Sequence, residues 1–190
     1  MINVLDKVQP KNRIQLEQLI DYAFKHNIYD LNFIDTSKIT DMSNLFMNCE
    51  YDIDVSNWDV SNVINMGCTF YNCNMFTGKG LENWNVSKVI DMSDMFYYCK
   101  KFDCDLSRWN VSNVTDASVM FYYCYDFDSD LSNWNVSNVK DMSYMFTVCE
   151  NFKGKGLENW DVSKVEDMKY MFGGCDKITI PNWYKLYHKK

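Results

Sequence analysis

The sequence predicts a repeat solenoid, in which the chain winds into about six stacked coils behind a helical N-terminal cap. The first observation is the spacing of the tryptophans, which recur every 23–26 residues with none outside the series. The second is that phenylalanines and cysteines recur in the same register, each cysteine three residues after its phenylalanine. A period of about 25 residues indicates one coil per repeat, and it favours binding over catalysis.

Two columns of the repeat are expected to form ladders that run through the stacked coils. Free cysteine behaves as a small hydrophobic residue in protein cores, so we expect reduced thiols in one of these columns. The tryptophan column comprises Trp58, Trp84, Trp109, Trp134, Trp160 and Trp183. The cysteine column comprises Cys49, Cys73, Cys99, Cys124, Cys149 and Cys175. Short polar residues such as Asn135 and Ser137 are expected to bond to the backbone of their own coil at tight corners.

The predicted elements follow the chain in three parts. Residues 1–30 form the cap, with an amphipathic helix over residues 12–27 that begins after the N-cap residue Asn12. Residues 31–180 form the six-repeat solenoid, and residues 181–190 close its other end. Two Gly-Lys-Gly segments, 76 residues apart, predict longer turns and the duplication of a three-repeat block.

Each repeat predicts a short strand, a short helix and an extended return. The Val-Ser-Asn-Val-x-Asp-Met segment is rich in valine and indicates the strand, which would stack on its neighbours in a parallel sheet. Apolar residues at i, i+3, i+4 and i+7 indicate the helix, with Asp141 or Ser143 as its cap. In the clearest repeat these helix residues are Met142, Met145, Phe146 and Cys149.

Charge and hydropathy narrow the possible partners. The formal net charge of the 190 residues is −7, and the repeats carry 22 acidic against 12 basic residues. This sign disfavours nucleic acid and suits a basic protein or a cation. No run of about 18 apolar residues predicts a membrane span. The first ten residues lack the pattern of a secretory leader, so we expect either an intracellular protein or an exported one whose leader was removed.

The sequence predicts no catalytic centre, cofactor or metal site. The two histidines, His26 and His188, lie near opposite ends of the sequence. The repeats therefore offer no histidine base for a catalytic triad and no histidine ligand for a zinc site. Cys68 and Cys104 lie outside the cysteine column at positions expected to be exposed, where Cys68 could pair with Cys73 and Cys104 with Cys99, both at a C-x4-C spacing. The remaining acidic column is expected to cap the short helices, with a row of calcium sites as the alternative. It comprises Asp41, Asp91, Asp116, Asp141 and Asp167, with Asn65 in the remaining place.

Variable positions of the repeat are the candidates for specificity. Tyrosine pairs recur there on successive coils, and tyrosine is enriched at protein interfaces. They indicate either a protein-contact strip or rings that only cover the edge of the predicted helices. The candidate contact residues are Tyr71, Tyr97, Tyr98, Tyr122 and Tyr123.

The repeated motif resembles the BspA-like leucine-rich-repeat surface proteins of bacteria. It reads W-N-V-S-K-V-I-D-M-S-D-M-F over residues 84–96 and W-N-V-S-N-V-K-D-M-S-Y-M-F over residues 134–146. The resemblance implies a right-handed, leucine-rich-repeat-like solenoid and adhesion or host-protein binding at a bacterial surface, without catalytic residues. The alternative is a cytoplasmic scaffold or inhibitor that presents an acidic face to a basic partner. The sequence leaves the oligomeric state open.

Overall fold

A computed structural model describes residues 7–187 of the chain. Residues 1–6 and 188–190 lie outside the described residues, and with them part of the predicted cap and tail, including His188. The described part contains helix α1 (Arg13–Lys25), helix α2 (Asn182–Tyr187) and two single-turn 3-10 helices, Leu81–Asn83 and Leu157–Asn159. Within residues 7–187 there is no strand of a sheet, only isolated parallel bridges that join one residue of each coil to the next.

Helix α1 covers the first coil. Asn12 accepts a hydrogen bond on its side chain from the backbone N–H of Gln15 (3.0 Å), so the predicted N-cap is confirmed. Its apolar face buries Leu16, Ile20 and Ala23, which join the core of the coils. The guanidinium of Arg13 donates to the carbonyl of Ser43 and fixes the helix to the edge of that coil.

Successive coils are joined by alternating backbone hydrogen bonds. In each coil, four N–H groups at every second residue donate to carbonyls of the following coil. N–H groups of the following coil also donate back, as those of Glu166 (2.7 Å) and Asp167 (3.3 Å) do to the carbonyl of Lys140. In one interface the four donors are Met142, Tyr144, Phe146 and Val148, and their acceptors are Asp167, Lys169, Met171 and Gly173, at 2.7–2.9 Å. This regular ladder places equivalent residues of neighbouring coils side by side.

Within a coil the chain reverses direction through successive four-residue turns. Each turn is closed by a hydrogen bond from an N–H to the carbonyl three residues earlier, as from Cys149 to Phe146 (3.0 Å). Two columns of these turns have positive φ, the left-handed region that favours glycine and asparagine. One column comprises Asn44, Cys68, Asp94, Val119, Tyr144 and Tyr170. The other comprises Asn48, Asn72, Tyr98, Tyr123, Val148 and Gly174.

The predicted leucine-rich-repeat-like right-handed coil, with short parallel strands and short helices, is therefore wrong. Residues 142–149 do not form a helix, because the N–H groups of alternate residues bond to the next coil and left-handed residues interrupt the run. The predicted strand is a tight turn from Val136 to Val139 (2.9 Å), followed by a single bridge residue, Asp141. The apolar spacing of three and four residues in the predicted helix arises from consecutive four-residue turns, Met142 to Met145 and Phe146 to Cys149.

Aromatic rings fill the interior of the stacked coils. The rings of Phe46, Phe70, Phe96, Phe121, Phe146 and Phe172 form a ladder with centroids 5.5–5.8 Å apart. A second phenylalanine of the same coil stacks on this ladder, as Phe102 does on Phe96 at 4.0 Å. At the C-terminal end, Tyr184 of α2 packs edge-on against Phe172. Among residues 7–187, no helix has the length and apolar character needed to cross a bilayer.

Candidate functional site

The five tyrosines that the sequence singles out lie together on one surface. Tyr71, Tyr97 and Tyr122 form a continuous stack, with centroid distances of 4.4 and 5.1 Å and ring planes within 4° of parallel. Tyr98 and Tyr123 form a second row beside it, 4.9 Å apart. All five side chains are half-buried. The ladder of coils produces this array, since each ring occupies the equivalent place one coil further on.

Three tyrosines that the sequence did not single out extend this surface. Tyr144 lies edge-on to Tyr122 (6.4 Å) and stacks on Tyr170 (5.2 Å), and Tyr125 contacts Tyr123 (5.7 Å). Tyr144 and Tyr170 are 39% and 62% exposed, so they offer more free surface than the half-buried pairs. The tyrosine face is defined as Tyr71, Tyr97, Tyr98, Tyr122, Tyr123, Tyr125, Tyr144 and Tyr170. These extra members stand in other columns of the repeat, which is why a search along one column misses them.

The tyrosine face offers both hydroxyl edges and open rings. In the first row each ring covers the next, so the ring edges remain for a partner, while the hydroxyls of Tyr71 and Tyr97 also interact with each other. In the second row Tyr123 is tilted by 56° to Tyr122 and by 68° to Tyr125. The ammonium of Lys100 lies 4.6 Å from the centroid of Tyr98, a cation–π contact within the chain. The rings of the second row therefore accept a positive charge.

The phenols of Tyr97 and Tyr122 stay protonated at neutral pH. Burial, and then the neighbouring phenol of Tyr71, raise the pKa of Tyr97 above its ordinary value. Burial and the neighbouring Tyr123 likewise raise the pKa of Tyr122. Each hydroxyl can therefore donate one hydrogen bond and accept others.

A row of carboxylates belongs to the same coils as the tyrosine face. The acidic row is defined as Asp41, Asp91, Asp116, Asp141 and Asp167, with Asn65 in the second place. Each member accepts a hydrogen bond from the backbone N–H two residues on, as Asp91 does from Ser93 (2.9 Å) and Asn65 from Gly67 (2.9 Å). The prediction that these residues cap helices is wrong. Each one is the bridge residue of its coil, and its side chain closes the turn that follows it.

In the part of the chain that the structure describes, only the two ends of the acidic row have basic partners. Arg13 lies 3.2 Å from Asp41, and Lys169 lies 3.6 Å from Asp167. Within residues 7–187, Asp91, Asp116 and Asp141 form no ion pair. The middle of the row therefore carries three uncompensated carboxylates on consecutive coils.

Asp94 links this row to the tyrosine face. Its half-buried carboxylate forms no hydrogen bond or ion pair within the described residues, although its charge reaches Tyr97. Burial, followed by the charges of Asp116 and Asp91, raises the pKa of Asp94 above its ordinary value. Negative charge is therefore held beside the tyrosine rings without a partner.

The tryptophan column joins each coil to the preceding one through side-chain hydrogen bonds. Every indole Nε1–H donates to a backbone carbonyl of the preceding coil at 2.7–3.2 Å. Trp58, Trp84, Trp109, Trp134 and Trp160 are buried, and Trp183 is half-buried. The adjoining corner is closed by Asn135, whose side chain accepts from the N–H of Ser137 (3.1 Å), so the predicted bond within the coil is confirmed.

The cysteine column lies inside the coils. The thiols of Cys73, Cys99, Cys124, Cys149 and Cys175 lie 2.7–3.0 Å from a phenylalanine carbonyl of the preceding coil. Cys49, in the first coil, contacts the carbonyl of Tyr51 at 3.8 Å. Burial raises the pKa of Cys49 and of Cys175 to about 11, so the reactive thiolate is scarce at neutral pH.

All eight cysteines are free thiols, and neither Cys68 nor Cys104 pairs with Cys73 or Cys99. Cys68 is half-buried, whereas Cys104 is buried, so the prediction that Cys104 is exposed is wrong. Its side chain packs beside the Gly78 turn and lies 3.6 Å from the Glu82 carboxylate. Across residues 7–187, no group of three or more histidine, cysteine, aspartate or glutamate side chains is placed to hold a metal ion.

Comparison with known proteins identifies one family. The sequence matches the family described as "Mycoplasma protein of unknown function, DUF285" over residues 14–79 and 68–183, which together span most of the chain. The two matched segments begin in α1 and continue through the coils. No curated protein and no solved structure matches the chain.

Proposed function

We propose that this chain, which belongs to the Mycoplasma protein family DUF285, is a non-enzymatic protein-binding repeat protein. The tyrosine face is the observation that carries the proposal. It crosses five successive coils, or about 20 Å at the usual spacing of neighbouring strands. That length suits a protein surface or an extended segment better than a small molecule.

The chemistry of the tyrosine face also favours a protein partner. Tyrosine provides a large contact area with few rotatable bonds, and it is enriched among the residues that dominate binding energy. The ring stacks between Tyr71, Tyr97 and Tyr122 hold the side chains in place before any partner arrives. A surface ordered in advance loses less conformational entropy on binding.

We place this binding at the bacterial surface, as adhesion or attachment to a host protein. The support is the resemblance of residues 84–96 and 134–146 to the repeats of BspA-like surface proteins. The second candidate is an intracellular scaffold or inhibitor. The uncompensated carboxylates of Asp91, Asp116 and Asp141 favour it, because they suit a basic protein.

The binding proposal is tested with two double variants that truncate side chains in different columns without changing the charge. Tyr97→Ala with Tyr122→Ala removes two rings from the tyrosine face, and Asn83→Ala with Asn133→Ala removes two exposed side chains beside the tryptophan column. Each is immobilised and exposed to purified host extracellular-matrix proteins and to a source-cell lysate. We expect saturable binding that the tyrosine variant loses and the asparagine variant keeps. Equal binding by both variants contradicts the proposal.

The location is tested on intact source cells by protease shaving, fractionation and blotting. Loss of the protein on shaving supports surface adhesion. Protection from the protease and recovery in the soluble fraction contradicts adhesion and supports the intracellular candidate.

A further inference from the structure

The middle of the acidic row is electrostatically incomplete. Asp91, Asp116 and Asp141 are joined coil to coil by parallel bridges, so their carboxylates recur at about 4.8 Å. Their hydrogen bonds come from serines of their own coil, which carry no positive charge. Like charges at this spacing repel each other unless a cation lies between them.

Other aspartates on the coils have cations within reach. Asp128 pairs with Lys153, Asp130 pairs with Lys155, and the ends of the acidic row pair with Arg13 and Lys169. The three uncompensated carboxylates of the acidic row lie on coils that carry members of the tyrosine face, namely Tyr97, Tyr122 and Tyr144.

Asp94 makes this region continuous with the tyrosine face. Asp94 stands in the same left-handed column as Tyr144 and Tyr170 of the tyrosine face, and its charge acts on Tyr97 and is raised in energy by Asp91 and Asp116. Nothing among residues 7–187 donates a hydrogen bond to it. A ligand that reached Asp94 would therefore meet phenol hydroxyls and carboxylates together.

We propose that the tyrosine face and the middle of the acidic row form one docking surface for a basic protein segment, whose arginine or lysine side chains lie between Asp91, Asp94 and Asp116 and contact Tyr97 and Tyr122. This inference rests on the proposed protein-binding function and names the chemistry of the partner. Guanidinium groups fit best, because they donate several hydrogen bonds to carboxylate and phenol oxygens and stack on open rings.

The chain itself shows how such a side chain binds here. The ammonium of Lys100 lies over the ring of Tyr98 and 5.9 Å from the centroid of Tyr125. A basic partner would extend this arrangement across the neighbouring rings of the tyrosine face. A polyanion would meet the uncompensated carboxylates and be repelled.

The test uses the full chain and a fluorescent hexa-arginine peptide, with binding followed by fluorescence anisotropy at 150 mM salt, where exposed charges are screened beyond about 8 Å. Asp91→Asn with Asp116→Asn removes two charges from the proposed site. Asn65 already occupies the same row and accepts the same backbone hydrogen bond, so the turns are kept. The control, Asp59→Asn with Asp161→Asn, removes two charges from the column in which Asn85 makes the equivalent bond.

We expect the Asp91/Asp116 variant to bind the peptide about tenfold more weakly, or worse, and the control variant to stay within about twofold of the wild type. Equal weakening in both variants shows attraction by net charge alone and overturns the inference, as does the absence of peptide binding to the wild type. A protein partner that is lost in Tyr97→Ala with Tyr122→Ala but kept in the Asp91/Asp116 variant leaves the proposed function standing and refutes the basic partner.

Discussion

Replacing Val148 by asparagine tests the turns that build each coil. Val148 has φ of 59°, in the left-handed region that β-branched residues avoid. Asn48 and Asn72 occupy the same column with φ of 62° and 57°. Asparagine is therefore accepted by this turn elsewhere in the chain, and Val148→Asn should remove backbone strain.

The expected gain follows from two opposing terms. An ordinary L-residue in the left-handed region costs about 1–2 kcal/mol, a cost that asparagine largely avoids. Losing the contacts of a half-buried valine costs about 1 kcal/mol, since full burial is worth about 1.5–3 kcal/mol. Val148→Asn should thus leave the free energy of unfolding unchanged or raise it by up to about 1 kcal/mol, whereas most substitutions lower it.

Val162→Asn is the matched control, because Val162 is also half-buried but does not have positive φ. It should lose about 1 kcal/mol, so that the two variants differ by about 1–2 kcal/mol. Urea unfolding gives both values from the midpoints at a shared slope. Valine and asparagine have similar helix propensities, so a helix over residues 142–149 predicts equal losses. Equal losses would refute the turn geometry.

Three further outcomes follow from the hydrogen bonds, the thiols and the charges. Trp109→Phe removes one of the two hydrogen bonds that the buried carbonyl of Leu81 accepts, the other coming from the N–H of Trp84, and should lower the free energy of unfolding by about 0.5–1.5 kcal/mol, measured in urea. A thiol-specific reagent should modify only Cys68 and Cys175 in the folded chain, and all eight cysteines in urea. Burial raises the pKa of both thiols to about 11, so the rate of modification of Cys68 and Cys175 should rise about tenfold per pH unit below that value. Asp94→Asn should stabilise the chain by about 0.5 kcal/mol at pH 7, because the charged carboxylate is disfavoured in the fold. The raised pKa of Asp94 means that folding binds protons, so the stability of the wild type falls as pH rises. The advantage of the variant should therefore vanish below about pH 3.8, as measured by acid unfolding curves.

The alignment of neighbouring coils could be predicted from the sequence, because equivalent side chains of successive repeats contact each other. The tryptophans each need an acceptor for Nε1–H, and stacking supplies a carbonyl one coil away. The aspartate and asparagine corners are readable for a similar reason, since Asp91 and Asn135 bond to their own backbone wherever they occur. The helix α1 is readable because its N-cap and apolar face are local features.

The conformation inside each coil could not be predicted from apolar spacing. Met142, Met145, Phe146 and Cys149 have the spacing of a helix face, yet consecutive turns bring the same residues inward. The left-handed residues Tyr144 and Val148 decide between a helix and consecutive turns, because each stands at the third place of one of the two turns over residues 142–149. Asn44, Asn72 and Gly174 in those columns were the available signal, because such residues favour that region.

The candidate site was predicted in part for the same reason. Tyr97 and Tyr122 lie in one column, and their adjacency follows from the repeat alone. Tyr144 stands in a left-handed column, and only the fold of the turn brings it to the edge of Tyr122. The incomplete charge of the acidic row is likewise a property of the fold, since it depends on which coils lie near Arg13 and Lys169.

Residue-resolved amide hydrogen exchange tests the stacking of the coils most directly. Tyr144 and Tyr170 share a column and a left-handed conformation, but only Tyr144 has a following coil, where the carbonyl of Lys169 accepts its N–H at 2.9 Å. The N–H of Tyr170 has no backbone acceptor within residues 7–187. The stacked coils predict slow exchange at Tyr144 and fast exchange at Tyr170. Equal exchange rates at the two residues would contradict the stack that aligns the tyrosine face.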